Sequence, residues 1–128
     1  MLLKVLLGGL LTLSVLAFLV FFAARGPDTP YEQLEATYAQ PDSKYVELAD
    51  GVRVHYRDAG DPSRPTIVLV HGYGDSFTTW EKWIPALAGS YRVIALDLPG
   101  HGLTRAPDDW TPGAETFLAT LDGFATAL

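Results

Sequence analysis

The chain has no cysteine, which excludes disulfides, thiolate nucleophiles and Cys-ligated zinc together. It has no asparagine either, and no charged residue between Lys4 and Arg25. Positive charge is scarce in the remainder: from Gly26 onward seven basic residues face fifteen acidic ones, a net of −8. Affinity for nucleic acid rests on cationic contacts to phosphate, so no nucleic-acid partner is expected. H-E-x-x-H and clustered carboxylates are missing, so no metal site and no cofactor are expected. The G-x-x-x-x-G-K-[ST] phosphate loop is missing as well, for want of its lysine.

What is present begins with a long apolar run. Val5–Ala24 is almost free of polar side chains; as a helix it reaches about 30 Å, enough to cross a hydrocarbon core. A cleaved signal peptide has a shorter apolar stretch ending in small residues. Here bulky Phe18, Phe21 and Phe22 crowd the end. Residues 1–25 therefore read as an uncleaved signal anchor, with cleavage after Ala23-Ala24 or a buried core helix as alternatives. The expected topology is a single pass with the N-terminus inside and an extracytoplasmic domain. Pro27, Pro30 and Pro41 punctuate a stretch without period, so 26–43 reads as a linker and 44–128 as the folded domain.

Within that domain Tyr45–Leu48 and Val52–Tyr56 alternate apolar and polar residues around Asp50-Gly51. This predicts a hairpin at a sheet edge, with His55 facing solvent. Thr66–Val70 and Tyr91–Leu96 are continuous aliphatic runs, as strands covered on both faces would be. Between them Trp80, Trp83, Ile84, Leu87 and Ala88 lie at helical spacing, with Ser76 placed to cap, Pro85 allowing a break and Gly89 ending the segment. Both tryptophans read as core. Strand, helix and strand in about thirty residues form a βαβ unit with parallel pairing. A last helix is expected after Thr111-Pro112, with Phe117, Leu118, Leu121, Phe124, Ala125 and Leu128 on one face.

The residues that carry chemistry follow the first aliphatic strand: His71-Gly72-Tyr73-Gly74. Two glycines allow a sharp turn whose N–H groups point at a bound oxygen. One fixed donor aimed at a developing oxyanion is worth about 3–4 kcal/mol. After the second strand comes Asp97-Leu98-Pro99-Gly100-His101-Gly102. His71 reads as a brace for its own turn, and Asp97 with His101 as turn residues, because Pro99 and Gly100 preclude a helical metal pair.

With these motifs in this order, Tyr45–Leu128 resembles the N-terminal part of the α/β-hydrolase family. The likeness rests on an opening hairpin, an HG-x-G turn, a Trp-bearing helix and D-x-P-G-x-G. It implies an α/β fold: an edge hairpin plus parallel strands with flanking helices, preceded here by the transmembrane helix. It also implies that His71, Gly72, Tyr73 and Gly74 form the oxyanion-hole loop, with the Tyr73 backbone N–H as one donor. The family's nucleophile sits at a strand-to-helix elbow, followed by an acid and a histidine. No G-x-S-x-G occurs here, so nucleophile, acid and base are expected beyond Leu128.

The implied activity is hydrolysis of a small-molecule carboxylic ester. Gly74 favours this over epoxide hydrolases and dehalogenases, which commonly have Pro at that place and Asp as nucleophile. One rival stands in Gly74-Asp75-Ser76, similar to the block of the GDSL/SGNH hydrolases, which would make Ser76 the nucleophile. The other is a non-catalytic membrane-tethered remnant or binding module.

Overall fold

A computed structural model describes residues 2–24, 26 and 28–128. Arg25 and Pro27, read above as the flank of the span and the start of the linker, lie outside the described residues, as does the side chain of Lys4. The chain divides into two compact units, Met1–Pro30 and Tyr31–Leu128. The first is dominated by helix α1, Leu2–Ala24. Its Leu6–Ala24 portion, with mean hydropathy 2.5, is long and apolar enough to cross a membrane.

The second unit opens with α2, Tyr31–Tyr38, inside the stretch read as a linker. Eight residues supply too little periodicity to announce a helix; what holds it is distant in sequence. Glu35 lies 2.5 Å from Arg53 Nη1 and 2.7 Å from Arg105 Nη2, Glu32 pairs with Arg105, and the Tyr31 hydroxyl donates to the Thr104 carbonyl. Burial acts to raise the Glu35 pKa, but the two arginines outweigh it and hold the carboxyl below its ordinary value of 4.5. A depressed folded pKa stabilises above the unfolded value, and that contribution is lost as pH falls through the folded one. Glu35→Gln should thus cost about 1 kcal/mol at neutral pH. The gap in thermal midpoint between variant and wild type should close on acidification below 4.5.

Strands β1, Lys44–Glu47, and β2, Arg53–Ala59, form the expected hairpin, registered from Lys44↔Tyr56 to Glu47↔Arg53. Gly51 takes φ +82, and the Asp50 carboxylate accepts from the Val52 N–H. With β3, Thr66–Val70, and β4, Arg92–Leu96, they make a sheet of order β1-β2-β4-β3. The β3–β4 pair is parallel, whereas β2 runs antiparallel to β4.

Two strand readings are corrected. β2 lies inside the sheet rather than at its edge, and His55 is fully buried. Alternation misled because a histidine supplied with polar partners can take an interior place. β3, read as covered on both faces, is the outer strand of the described sheet, and its Val68 is 43% exposed.

β4 shows why the domain is layered. Its side chains alternate across the sheet. Ile94 and Leu96 join Val54, Tyr56 and Phe124 on one face; Val93 and Ala95 meet Phe77 and Ile84 on the other. The first face is closed by α4, Ala114–Ala127, whose Phe124 packs edge-on against Tyr56 at 5.1 Å. The second is closed by a 3₁₀ turn, Phe77–Trp80, and a short α3, Trp83–Leu87.

The crossover helix is therefore two pieces. Ser76 caps the first, and the change of phase rotates Trp83 outward to 58% exposure while Trp80 packs inward. α4 begins two residues later than Thr111-Pro112 implied, with Gly113 at its cap. Its buried stripe holds Thr120 and Phe124, and Leu118 is 65% exposed.

Candidate active site

Parallel neighbours end on the same side of a sheet, so the segments after β3 and β4 emerge together. The ladder stops at Val70↔Leu96. Beyond it, His71–Gly74 and Asp97–Gly102 lie side by side and are joined by two imidazoles. His71 Nδ1–H donates to the Gly72 carbonyl at 2.7 Å, leaving Nε2 to accept from the Leu98 N–H at 3.0 Å. This is the bracing role read from the sequence, extended across to the second loop. Gly74 holds φ +71 with open space around it.

The Tyr73 N–H has no acceptor among the described residues, and the Tyr73 side chain is fully exposed. Beside it opens a hollow of about 610 Å³, lined by Tyr73, Gly74, His101, Trp110, Pro112 and Phe117. Its walls carry no carboxylate and no ammonium or guanidinium group, so they suit an uncharged, apolar-bodied guest. A separate cavity of about 540 Å³ lies between α2 and Phe77–Leu103 and includes none of residues 71–74.

Asp97 is the hub of the second loop, and its carboxylate is fully buried. Oδ1 accepts from the Phe77 N–H at 2.7 Å; Oδ2 accepts from His55 Nδ1 at 2.8 Å and from the Leu103 N–H at 3.0 Å. Ser43 Oγ, which accepts from the Gln40 N–H, lies 2.8 Å from His55 Nε2. Ser43, His55 and Asp97 thus follow the donor order of a serine-hydrolase triad. They cannot act as one: a general base must reach the proton it moves. The His55 ring has no exposed surface and is flanked by the Tyr45 and Phe77 rings at 5.0 and 5.2 Å. The network joins four chain segments and sets where the turn after Gly74 resumes.

Sequence reasoning missed this hub. The signal was there in Gly102: φ is +50, and a Cβ would sit 2.0–2.5 Å from the Asp97 carboxyl atoms. The second glycine of D-x-P-G-x-G exists to let the backbone close over the carboxylate.

Ser76, the alternative nucleophile, has its Oγ 2.7 Å from Thr78 Oγ1 and accepts from the Thr78 N–H. Among the described residues no imidazole reaches it. Asp75 is committed to the same turn, held below the usual carboxylate range by bonds from Thr79 and the Ser76 N–H. No three His, Asp or Glu side chains converge as a metal site would require, among the described residues.

A glycine-rich turn, with one N–H that has no acceptor among the described residues, thus stands at the carboxyl end of a parallel strand, braced against D-x-P-G-x-G. Residues 65–127 match the family model for the alpha/beta hydrolase fold, and the chain belongs to that family. It is 45% identical over 65 residues to Uncharacterized hydrolase YNR064C of Saccharomyces cerevisiae, covering 51% of this chain and 22% of that protein. It is 41% identical over 64 residues to Epoxide hydrolase 4 of Homo sapiens, covering 49% and 18%. Among solved structures it resembles a membrane phospholipase A described as a bacterial virulence factor. That match has 28% identity and a TM-score of 0.64, over 97% of this chain and 40% of that one. The match thus spans between 11% and 22% of the length of curated relatives.

Proposed function

We propose that the protein is a membrane-anchored hydrolase of carboxylic esters, in which residues 71–74 supply one half of the oxyanion hole. The observation that carries this reading is the Tyr73 N–H, unpaired at the rim of an apolar hollow. A tetrahedral intermediate places negative charge on the former carbonyl oxygen, and a fixed donor lowers the barrier because it need not reorganise. The second donor, the nucleophile, the base and the acid would come from the rest of the protein, in the family's order.

Anchoring is supported by α1 and by the phospholipase likeness, which runs over nearly the whole chain, helix included. In this reading the domain is extracytoplasmic, and a bilayer anchor would keep it within reach of ester substrates that partition into the membrane. Ester specificity is supported by Gly74 and by the uncharged walls of the hollow. A second reading, epoxide opening by a carboxylate nucleophile, is favoured by the 41% identity to Epoxide hydrolase 4.

Labelling of membranes that carry the full-length protein separates these readings. A fluorophosphonate probe is added after a carbonate wash, and the modified residue is located by mass spectrometry. The expected result is a labelled serine outside residues 1–128, retained in the washed membrane and unaffected by Ser76→Ala. Label on Ser76 would install the GDSL reading. Absence of label together with epoxide turnover would install the carboxylate one. Absence of both would leave a tethered, non-catalytic module, and loss of the protein to the wash would remove the anchor.

A further inference from the structure

We infer that His101 is a positioning residue: it holds the peptide that follows Tyr73, and thereby aims the Tyr73 N–H. The inference rests on the ester-hydrolase reading above. Tyr73 lies between two planar peptide units, and each unit is rigid in itself. The unit before it contains the Gly72 carbonyl and the Tyr73 N–H. His71 fixes that unit by donating to the Gly72 carbonyl. In a trans unit the N–H then points away from His71, outward.

The unit after Tyr73 contains the Gly74 N–H, which donates to His101 Nε2 at 3.3 Å. The His101 ring is set in turn by its own loop. Nδ1 lies 3.1 Å from the Pro99 carbonyl, which can only accept, so the proton is on Nδ1 and Nε2 is free to receive. The arrangement is reciprocal. His71, on the first loop, accepts from the Leu98 N–H of the second; His101, on the second, accepts from the Gly74 N–H of the first. The two rings stand 5.1 Å apart.

Sterics cannot do the work of His101. Gly74 has a left-handed φ and no neighbour within 4 Å of where a Cβ would be. Among the described residues the Gly74 N–H bond to His101 is the one hydrogen bond on the peptide between Tyr73 and Gly74. Without it the Tyr73 Cα is tethered from one side only, and a shift of that Cα tilts the Gly72–Tyr73 unit about its His71 contact and moves the N–H off the oxyanion position. Donor geometry matters most in the transition state, so a loosened turn should lower kcat and leave KM largely unchanged.

The test uses the full-length protein in detergent and three variants. His101→Phe keeps a ring against His71 and Tyr73 but removes both hydrogen bonds. His101→Gln offers an amide oxygen to the Gly74 N–H and an amide N–H to the Pro99 carbonyl. His101→Asn is too short to reach Gly74 and carries the same test should the Phe variant fail to fold. The expected kcat for a short-chain ester falls about tenfold or more in Phe and Asn, short of the roughly 10²–10³ of a deleted donor. KM should hold within about twofold, and Gln should restore most of the loss.

Amide exchange over residues 72–76 should accelerate about tenfold in Phe and Asn, and stay near wild type in Gln. Unchanged kcat in Phe or Asn overturns the inference, whether or not exchange accelerates. Equal loss in Gln also overturns it. A wild-type protein without ester turnover sinks the ester reading by itself. The exchange arm then still decides whether His101 holds the turn, and unchanged exchange in Phe or Asn overturns that too.

Discussion

Asp97→Ala should lower the unfolding free energy of the protein by about 3–5 kcal/mol, the usual result of removing one partner from a buried charged network. The carboxylate collects three donors, from His55, Phe77 and Leu103, and no part of it meets solvent. Alanine leaves all three donors without their acceptor. Each buried donor left unsatisfied costs about 1–3 kcal/mol. Urea unfolding followed by tryptophan fluorescence measures the difference. Ser43→Ala is the matched control: it removes the outermost member of the same chain of bonds, where solvent can substitute, and should cost only about 1 kcal/mol. If Ser43→Ala instead abolished ester turnover or probe labelling while leaving stability intact, the network would be catalytic.

The contrast between the two clusters of histidines explains what could be read from the residues alone. The parallel β3–β4 pair, the turn after β3 and the loop after β4 were all legible, because each is written in a short contiguous pattern: aliphatic run, then glycines. His71 was legible for the same reason, since its hydrogen-bond partner is the next residue.

His55 was not. Its alternating neighbours imply one wet face, and the partners that let it be buried are 12 and 42 positions away. α2 was missed on the same ground, because its stability comes from Arg53 and Arg105 rather than from its own eight residues. Trp83 and Leu118 were placed in the core by helical spacing. The break between Trp80 and Trp83 changes the phase of one, and α4 turns Thr120 rather than Leu118 toward the sheet. Pattern reports what neighbours in the chain do; burial of a polar group is decided by who comes to meet it.

Gly102→Ala is expected to be nearly as damaging as Asp97→Ala, for a different reason, and the two losses should not add. A Cβ at position 102 would stand 2.0 Å from Asp97 Oδ2 and 2.2 Å from its Cγ. Contacts that short cannot be borne, so either the carboxylate leaves its three donors or the loop lifts away from it. The tip of a flexible side chain could give way cheaply, but this one is held at three points. Added to that is a left-handed φ of +50, which costs an alanine about 1–2 kcal/mol on its own.

The loss in the wild-type background should therefore be about 3–5 kcal/mol, at the upper end for single substitutions. With Asp97 already alanine the obstructing carboxyl atoms are gone, and only the backbone penalty remains. Gly102→Ala in that background should cost about 1–2 kcal/mol, giving a coupling of about 2 kcal/mol or more between the two positions. Equal costs in both backgrounds would mean that residue 102 is glycine for its dihedral angle alone. The closing of the loop over the carboxylate would then need another cause.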